Sequence, residues 1–124
     1  MNLKTNKLRI LSSYKEFLYD IEKILVNVPK KDYISRSNFY NKSIEILELI
    51  YYANNVSNKK EYQLKIITKI SVLDFYIERL YKKKYISEST TIKYSKKLNE
   101  ITKMVYGWIK ETNWLIWRST NKEC

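Results

Sequence analysis

Histidine is missing from this chain altogether, and glycine, proline and cysteine occur once each, as Gly107, Pro29 and Cys124. Each scarcity excludes something. Without histidine, the commonest general base near neutral pH and the commonest transition-metal ligand are gone. A lone glycine cannot build a phosphate-binding glycine loop. One glycine and one proline also leave too few tight turns for a sandwich or barrel. A single cysteine excludes a disulfide framework and a cysteine metal site. No base stands beside it to activate it as a nucleophile, and a reducing, cytoplasmic compartment is expected. Long apolar runs are absent too. No stretch approaches about 18 uninterrupted apolar residues, and no apolar N-terminal segment precedes a small-residue cleavage site. Neither a transmembrane helix nor a signal peptide is expected.

Carboxylates recur at helical spacing, Glu45 with Glu48 and Asp74 with Glu78. Neither pair has the Glu-x-x-His partner of a di-iron bundle, so both are read as surface charges. Glu78 also stands four residues before Lys82, the spacing of a supportive helix ion pair. No catalytic residue, metal or cofactor is expected, and the chain is not expected to be an enzyme.

What is present points to helices. The 124 residues suit one domain, and a 44% hydrophobic content is too high for a disordered chain. Leu11, Tyr14, Leu18, Ile21, Leu25 and Val28 recur at alternating spacings of three and four, which lays them on one stripe of a helix. Pro29 then stops that helix and restricts Val28. A second helix opens with Asp32 as N-cap and carries Tyr40, Ile44, Leu47 and Tyr51 on its apolar face, flanked by Leu49 and Ile50. After the turn "NNVSN", Asn58 and Glu61 have capping-box spacing. Tyr62, Ile66, Ile70, Leu73, Ile77 and Leu80 stripe the third helix. Ser87 caps the fourth, which is striped by Leu98, Ile101, Val105 and Trp108. The expected helices are about 5–28, 32–54, 59–83 and 88–113, with an apolar tail over 114–124. Short loops make sequence neighbours antiparallel, so the expected fold is all-α, an up-down-up-down four-helix bundle.

Gly107 lies inside the apolar run "KMVYGWIKETNWLIW", where it weakens a helix by up to about 1 kcal/mol relative to alanine. Close packing of a backbone or of a large ring such as Trp108 is one explanation; a fraying helix end with Gly107 as C-cap is the other. Tyr76, Tyr81, Tyr85 and Tyr106, with Trp114, Leu115, Ile116 and Trp117, exceed what one small core needs. Aromatic residues suit interfaces, and self-association would hide them. The candidate oligomer or partner interface is therefore Tyr76, Tyr106, Gly107, Trp108, Trp114 and Trp117. Tyrosine enrichment from AT-rich codons is the competing explanation.

Net charge is +11, from 24 Lys and Arg against 13 Asp and Glu, an electrostatic footprint for a polyanion unless the lysine reflects the same codon bias. At about 100° per residue, Lys65, Lys69, Tyr76, Arg79 and Lys83 gather along one line of the third helix, away from its apolar stripe. Lys93, Lys96, Lys97 and Lys103 cluster on the fourth, and the loop adds Lys82, Lys83 and Lys84. Together these residues are the candidate nucleic-acid surface, with tyrosine available for stacking. Only four arginines are present, too few for much bidentate guanine reading, so recognition by charge and shape is expected.

The stretches "NVPKKDYISRSNFYNKSIEILELIYYAN", "KISVLDFYIERLYKKKYIS" and "YSKKLNEITKMVYGWIK" resemble, in order and spacing, segments of the Avd-like four-helix-bundle proteins. Gly107, Trp108 and Ile109 match the motif that ends their closing helix. The resemblance covers about residues 10–110. It implies the accessory variability protein of a diversity-generating retroelement: a basic, barrel-like homo-pentamer, itself not an enzyme. Such a protein binds the element's reverse transcriptase and helps it copy template RNA into mutagenised cDNA. The related rRNA intervening-sequence proteins share the bundle and ring. Family members often carry arginines in the third-helix segment, where this chain has Asp74, Glu78 and only Arg79; Lys69, Arg79 and Lys82 would then take over the contacts. Two other readings compete: a structural bundle whose lysines serve solubility, and a membrane-surface protein, which fits poorly because the apolar faces are needed for the core.

Overall fold

The structure, a computed structural model, describes residues 3–121, and the side chains of residues 7–121. Among them are four α-helices and no strand: α1 (Leu3–Leu25), α2 (Tyr33–Asn55), α3 (Lys59–Lys82) and α4 (Glu88–Asn121). They form a four-helix bundle. Each helix packs closely on its neighbours in the cycle α1–α2–α3–α4. The centre is apolar and continuous, with Phe17, Phe39, Ile46, Leu73, Ile77 and Trp108 among its fully buried side chains.

The α3 stripe from Ile66 to Leu80 and the α4 stripe from Leu98 to Trp108 are buried as their spacing predicts; Tyr62 is only half-buried, and Gln63 takes its place inside. On α1 Tyr14, Leu18, Ile21 and Leu25 are buried as expected and joined by Ile10 and Phe17, while Leu11 is only half-buried. The helix, however, ends at Leu25 and not at Val28. Asn27 and Val28 donate to the carbonyls of Ile24 and Leu25 in tighter turns, 2.9 and 3.1 Å, because Pro29 pushes its predecessor out of the helical region. Val28 is still buried, as an anchor of the turn. A single 3₁₀ turn, Lys30–Asp32, follows.

On α2 the expected apolar face is displaced. Phe39, Ser43, Ile46, Ile50 and Ala53 are buried, while Tyr40 and Tyr51 are exposed. The true face is rotated from the expected one by about one residue, or about 100°. Ser43 lies on that face. Its hydroxyl donates to the Tyr40 carbonyl at 2.7 Å, so it enters the core already satisfied. Its small size admits Tyr14 of α1, whose hydroxyl donates to the Ser43 carbonyl at 2.6 Å. Burial pushes the Tyr14 hydroxyl far above its ordinary pKa.

The caps follow the sequence unevenly. Asp32 caps α2, accepting from the Ser35 amide at 3.3 Å, and Ser87 caps α4, accepting from the Thr90 amide at 3.2 Å. Asn58 stands at the start of α3 without a side-chain cap bond. The structure instead places Lys59 there, its ammonium donating to the Ala53 and Val56 carbonyls at 3.0 Å each. Those carbonyls end α2, where a cation is favoured.

The expected break before residue 114 does not occur. α4 runs unbroken for 34 residues to Asn121, about 51 Å against about 36 Å for α3. Residues 122–124 of the expected tail lie outside the described residues. Gly107 sits inside α4, on its exposed side, and apart from its own turn of helix and its two chain neighbours nothing among the described residues lies within 4 Å of where its Cβ would stand. It caps nothing, since α4 continues past it to Asn121, and among the described residues no backbone of another helix and no side chain beyond its two chain neighbours crowds it.

Candidate nucleic-acid interface

The positive face expected along α3 is largely engaged by acidic and aromatic neighbours on the bundle's surface. Lys65 pairs with Glu61 at 3.4 Å and lies over the Tyr62 ring, 5.4 Å from its centroid. Lys69 reaches across to Glu45 on α2 at 3.2 Å. That hydrogen bond holds the Glu45 carboxyl below its ordinary pKa, helped by Lys42. Arg79 stacks over Tyr76 at 5.7 Å. The expected Glu78–Lys82 pair does not form, which leaves Lys82 exposed. Asp74, which with Glu78 flanks the stretch where the resemblance leads one to expect arginines, accepts from Ser95 of α4 at 2.6 Å and so joins two helices.

On α4 the cluster divides. Lys97 leans onto Glu16 of α1 at 3.8 Å, and Lys93 lies over Tyr94 at 5.5 Å. Lys96 and Lys103 are exposed and make no ion pair among the described residues.

Lys83 turns inward to a site the sequence reading did not anticipate. Its ammonium lies 3.0 Å from the Asp32 carboxylate and 3.0 Å from the Ser35 hydroxyl. The same carboxylate accepts from the Tyr85 hydroxyl at 2.7 Å and from the Ser35 hydroxyl at 2.9 Å. Tyr85, then Lys83, then Ser35 hold Asp32 well below the usual carboxylate range, against the opposing effect of desolvation. Asp32 in turn raises the Tyr85 hydroxyl. The turn between α1 and α2 is thereby clasped to the turn between α3 and α4. Lys30 and Lys31 on one turn, and Lys82 and Lys84 on the other, flank the clasp and are exposed.

Lys84 is the one non-glycine residue with positive φ among those described, at 65°. It occupies the left-handed position of a Schellman ending to α3. Its amide donates to Tyr81 and the Tyr85 amide to Leu80, at 2.9 and 3.0 Å. Lys30 and Lys31 are not among the residues the sequence reading assigned to the surface, because spacing along one helix says nothing about residues in a turn; the clasp brings them beside Lys82 and Lys84.

Of the aromatic interface candidates, Trp108 is wholly buried in the core, which corrects its placement on a surface. Tyr76 is half-buried, held between Phe75 and Arg79. Tyr106, Trp114 and Trp117 are exposed, the tryptophans by 53% and 61%. Trp114 lies under Arg118 at 5.2 Å. No helix among the described residues is long and apolar enough to cross a membrane. In comparisons with family models, with curated proteins and with solved structures, the chain matches none.

Proposed function

We propose that this chain is a non-catalytic accessory protein of a diversity-generating retroelement. It binds RNA and cDNA through exposed lysines and associates with the reverse transcriptase to support mutagenic cDNA synthesis in the cytoplasm. The observation that carries the reading is a helical bundle whose positive charge outlasts its pairing with acids: Lys82 and Lys84 remain exposed at the close of α3 and in the turn after it, beside the exposed Lys30 and Lys31 of the turn clasped to it. The resemblance in residue order supplies the retroelement and the polymerase partner.

The proposed arrangement is antiparallel, up-down-up-down. It is supported by contacts between α2 and α3 that step down one helix as they step up the other: Asp32 with Lys83, Glu45 with Lys69, Tyr52 with Tyr62. The proposed assembly is a homo-pentameric ring, supported by the exposed aromatic side chains of α4. A second reading is the rRNA intervening-sequence type of bundle with a general nucleic-acid-binding role. The third-helix stretch favours it, because there Asp74 serves the contact with Ser95 and Arg79 alone is left to face a polymerase.

The test is titration of a labelled, unstructured RNA of about 30 nucleotides at increasing salt. With about five phosphate contacts, affinity is expected to fall about a hundredfold between about 50 and 200 mM salt. Salt-insensitive binding, or none at the lowest salt, contradicts the reading. A neighbouring reverse-transcriptase gene with template and variable repeats separates the first role from the second.

A further inference from the structure

Within the nucleic-acid reading just proposed, we infer that single-stranded RNA docks across the end of the bundle where the two clasped turns meet, and not along the face of α3. The charge distribution is the first argument. Residues 30–36 and 79–88 hold seven basic side chains against two acidic ones, and one of those acids, Asp32, is occupied by Lys83. The middle of α3, residues 61–78, holds two basic against three acidic, and both of its lysines are ion-paired. An RNA strand approaching the α3 face meets a neutral surface; one approaching the end meets unpaired lysines.

The second argument is rigidity. Val28 and Ile86 anchor the two turns in the core. The Asp32 carboxylate ties them together through Tyr85, Lys83 and Ser35. The Schellman bonds fix Lys84. Lysines projecting from a fixed backbone lose less freedom on binding than lysines on a loose loop. The chain also keeps lysine at position 84, where the left-handed backbone favours glycine.

The third argument is Tyr33. It opens α2 directly after the clasp and is 70% exposed, with an open ring face beside Lys30 and Lys31 in sequence. An unpaired base can stack on it while the lysines hold the adjoining phosphates. Duplex RNA keeps its bases stacked on one another, so the site selects unpaired strands.

The experiment uses the full chain and a labelled 30-nucleotide oligo-uridine, with two triple variants that change the charge equally: K30E/K31E/K84E at the end and K93E/K96E/K103E on α4. Circular dichroism checks that both fold, and K30Q/K31Q/K84Q stands in if the charge-reversed end variant does not. The end variant is expected to lose at least about thirtyfold in affinity and to flatten the log–log salt slope by about two; the α4 variant is expected to lose less than about fivefold. Tyr33→Ala is expected to lower affinity about tenfold with the salt slope unchanged, the mark of lost stacking. Equal losses in the two triple variants, or a larger loss on α4, overturn docking at the end and leave the nucleic-acid reading standing. A parent chain that binds no RNA overturns that reading itself. Duplex RNA competing as well as oligo-uridine overturns the single-strand assignment.

Discussion

At the scale of single residues, Lys84 and Asp32 define the basic end of the molecule, and both make predictions. Lys84 adopts a backbone conformation that places its Cβ against the following carbonyl, a strain of about 1–2 kcal/mol for a residue with a side chain. Glycine removes that strain but loosens the unfolded chain. Lys84→Gly should therefore raise stability by about 0.5–1 kcal/mol while weakening RNA binding, as read by denaturant midpoints and by titration. A stability loss would mean that the lysine side chain itself holds the turn. The pKa of Asp32 is depressed in the fold. The stability it contributes is therefore complete above the unfolded value of about 4 and drains away as pH falls below it. Urea midpoints of the parent and Asp32→Asn, compared from about pH 6 down to about pH 3, should differ most at the upper end and draw closer, without yet meeting, at the lower. A gap that stays constant with pH would show that the carboxylate's charge is not what holds the clasp.

Helices show how far periodicity reaches. α3 and α4 were legible because Ile66 to Leu80 and Leu98 to Trp108 are aliphatic or aromatic at every inward position. α2 was misread because it carries apolar residues on more than one side, and because Ser43, which lies on its buried face, looks like a surface residue. Its hydroxyl is satisfied by its own helix, a state that no spacing rule detects. Gly107 gives the prediction at this scale. Its surroundings are open and its φ is not positive, so Gly107→Ala should raise thermal stability by about 0.5–1 kcal/mol in dilute solution. If the variant is instead less stable, and increasingly so at higher protein concentration, a second copy approaches the chain at that point.

For the whole molecule, the question is what covers the end of α4. The helix outruns its neighbours, and Trp114, Ile116 and Trp117 stand exposed there. Their removal costs the single bundle little, because exposed side chains contribute within about 0.5 kcal/mol. The double variant W114A/W117A should keep its melting temperature when dilute and should sediment as a smaller species than the parent. Unchanged mass would remove these residues from the proposed ring interface. The basic surface was legible as a total but not as a pattern. Counting lysines cannot tell that Lys65, Lys69 and Lys97 are paired with acids on their own or neighbouring helices while Lys82 and Lys84 are not.

The sequence by itself determined that the chain is helical, that there are four helices, where three of the four begin and which residues line two of their inner faces. Those properties depend on spacing, on caps and on one proline, all local to the chain. Tertiary structure alone decided the rotation of α2, the unbroken run of α4, the burial of Trp108 and the joining of Asp32 to Lys83 and Tyr85. These depend on which side chain meets which across helices. The clasp unites residues more than fifty positions apart, and only packing brings such groups within hydrogen-bonding distance.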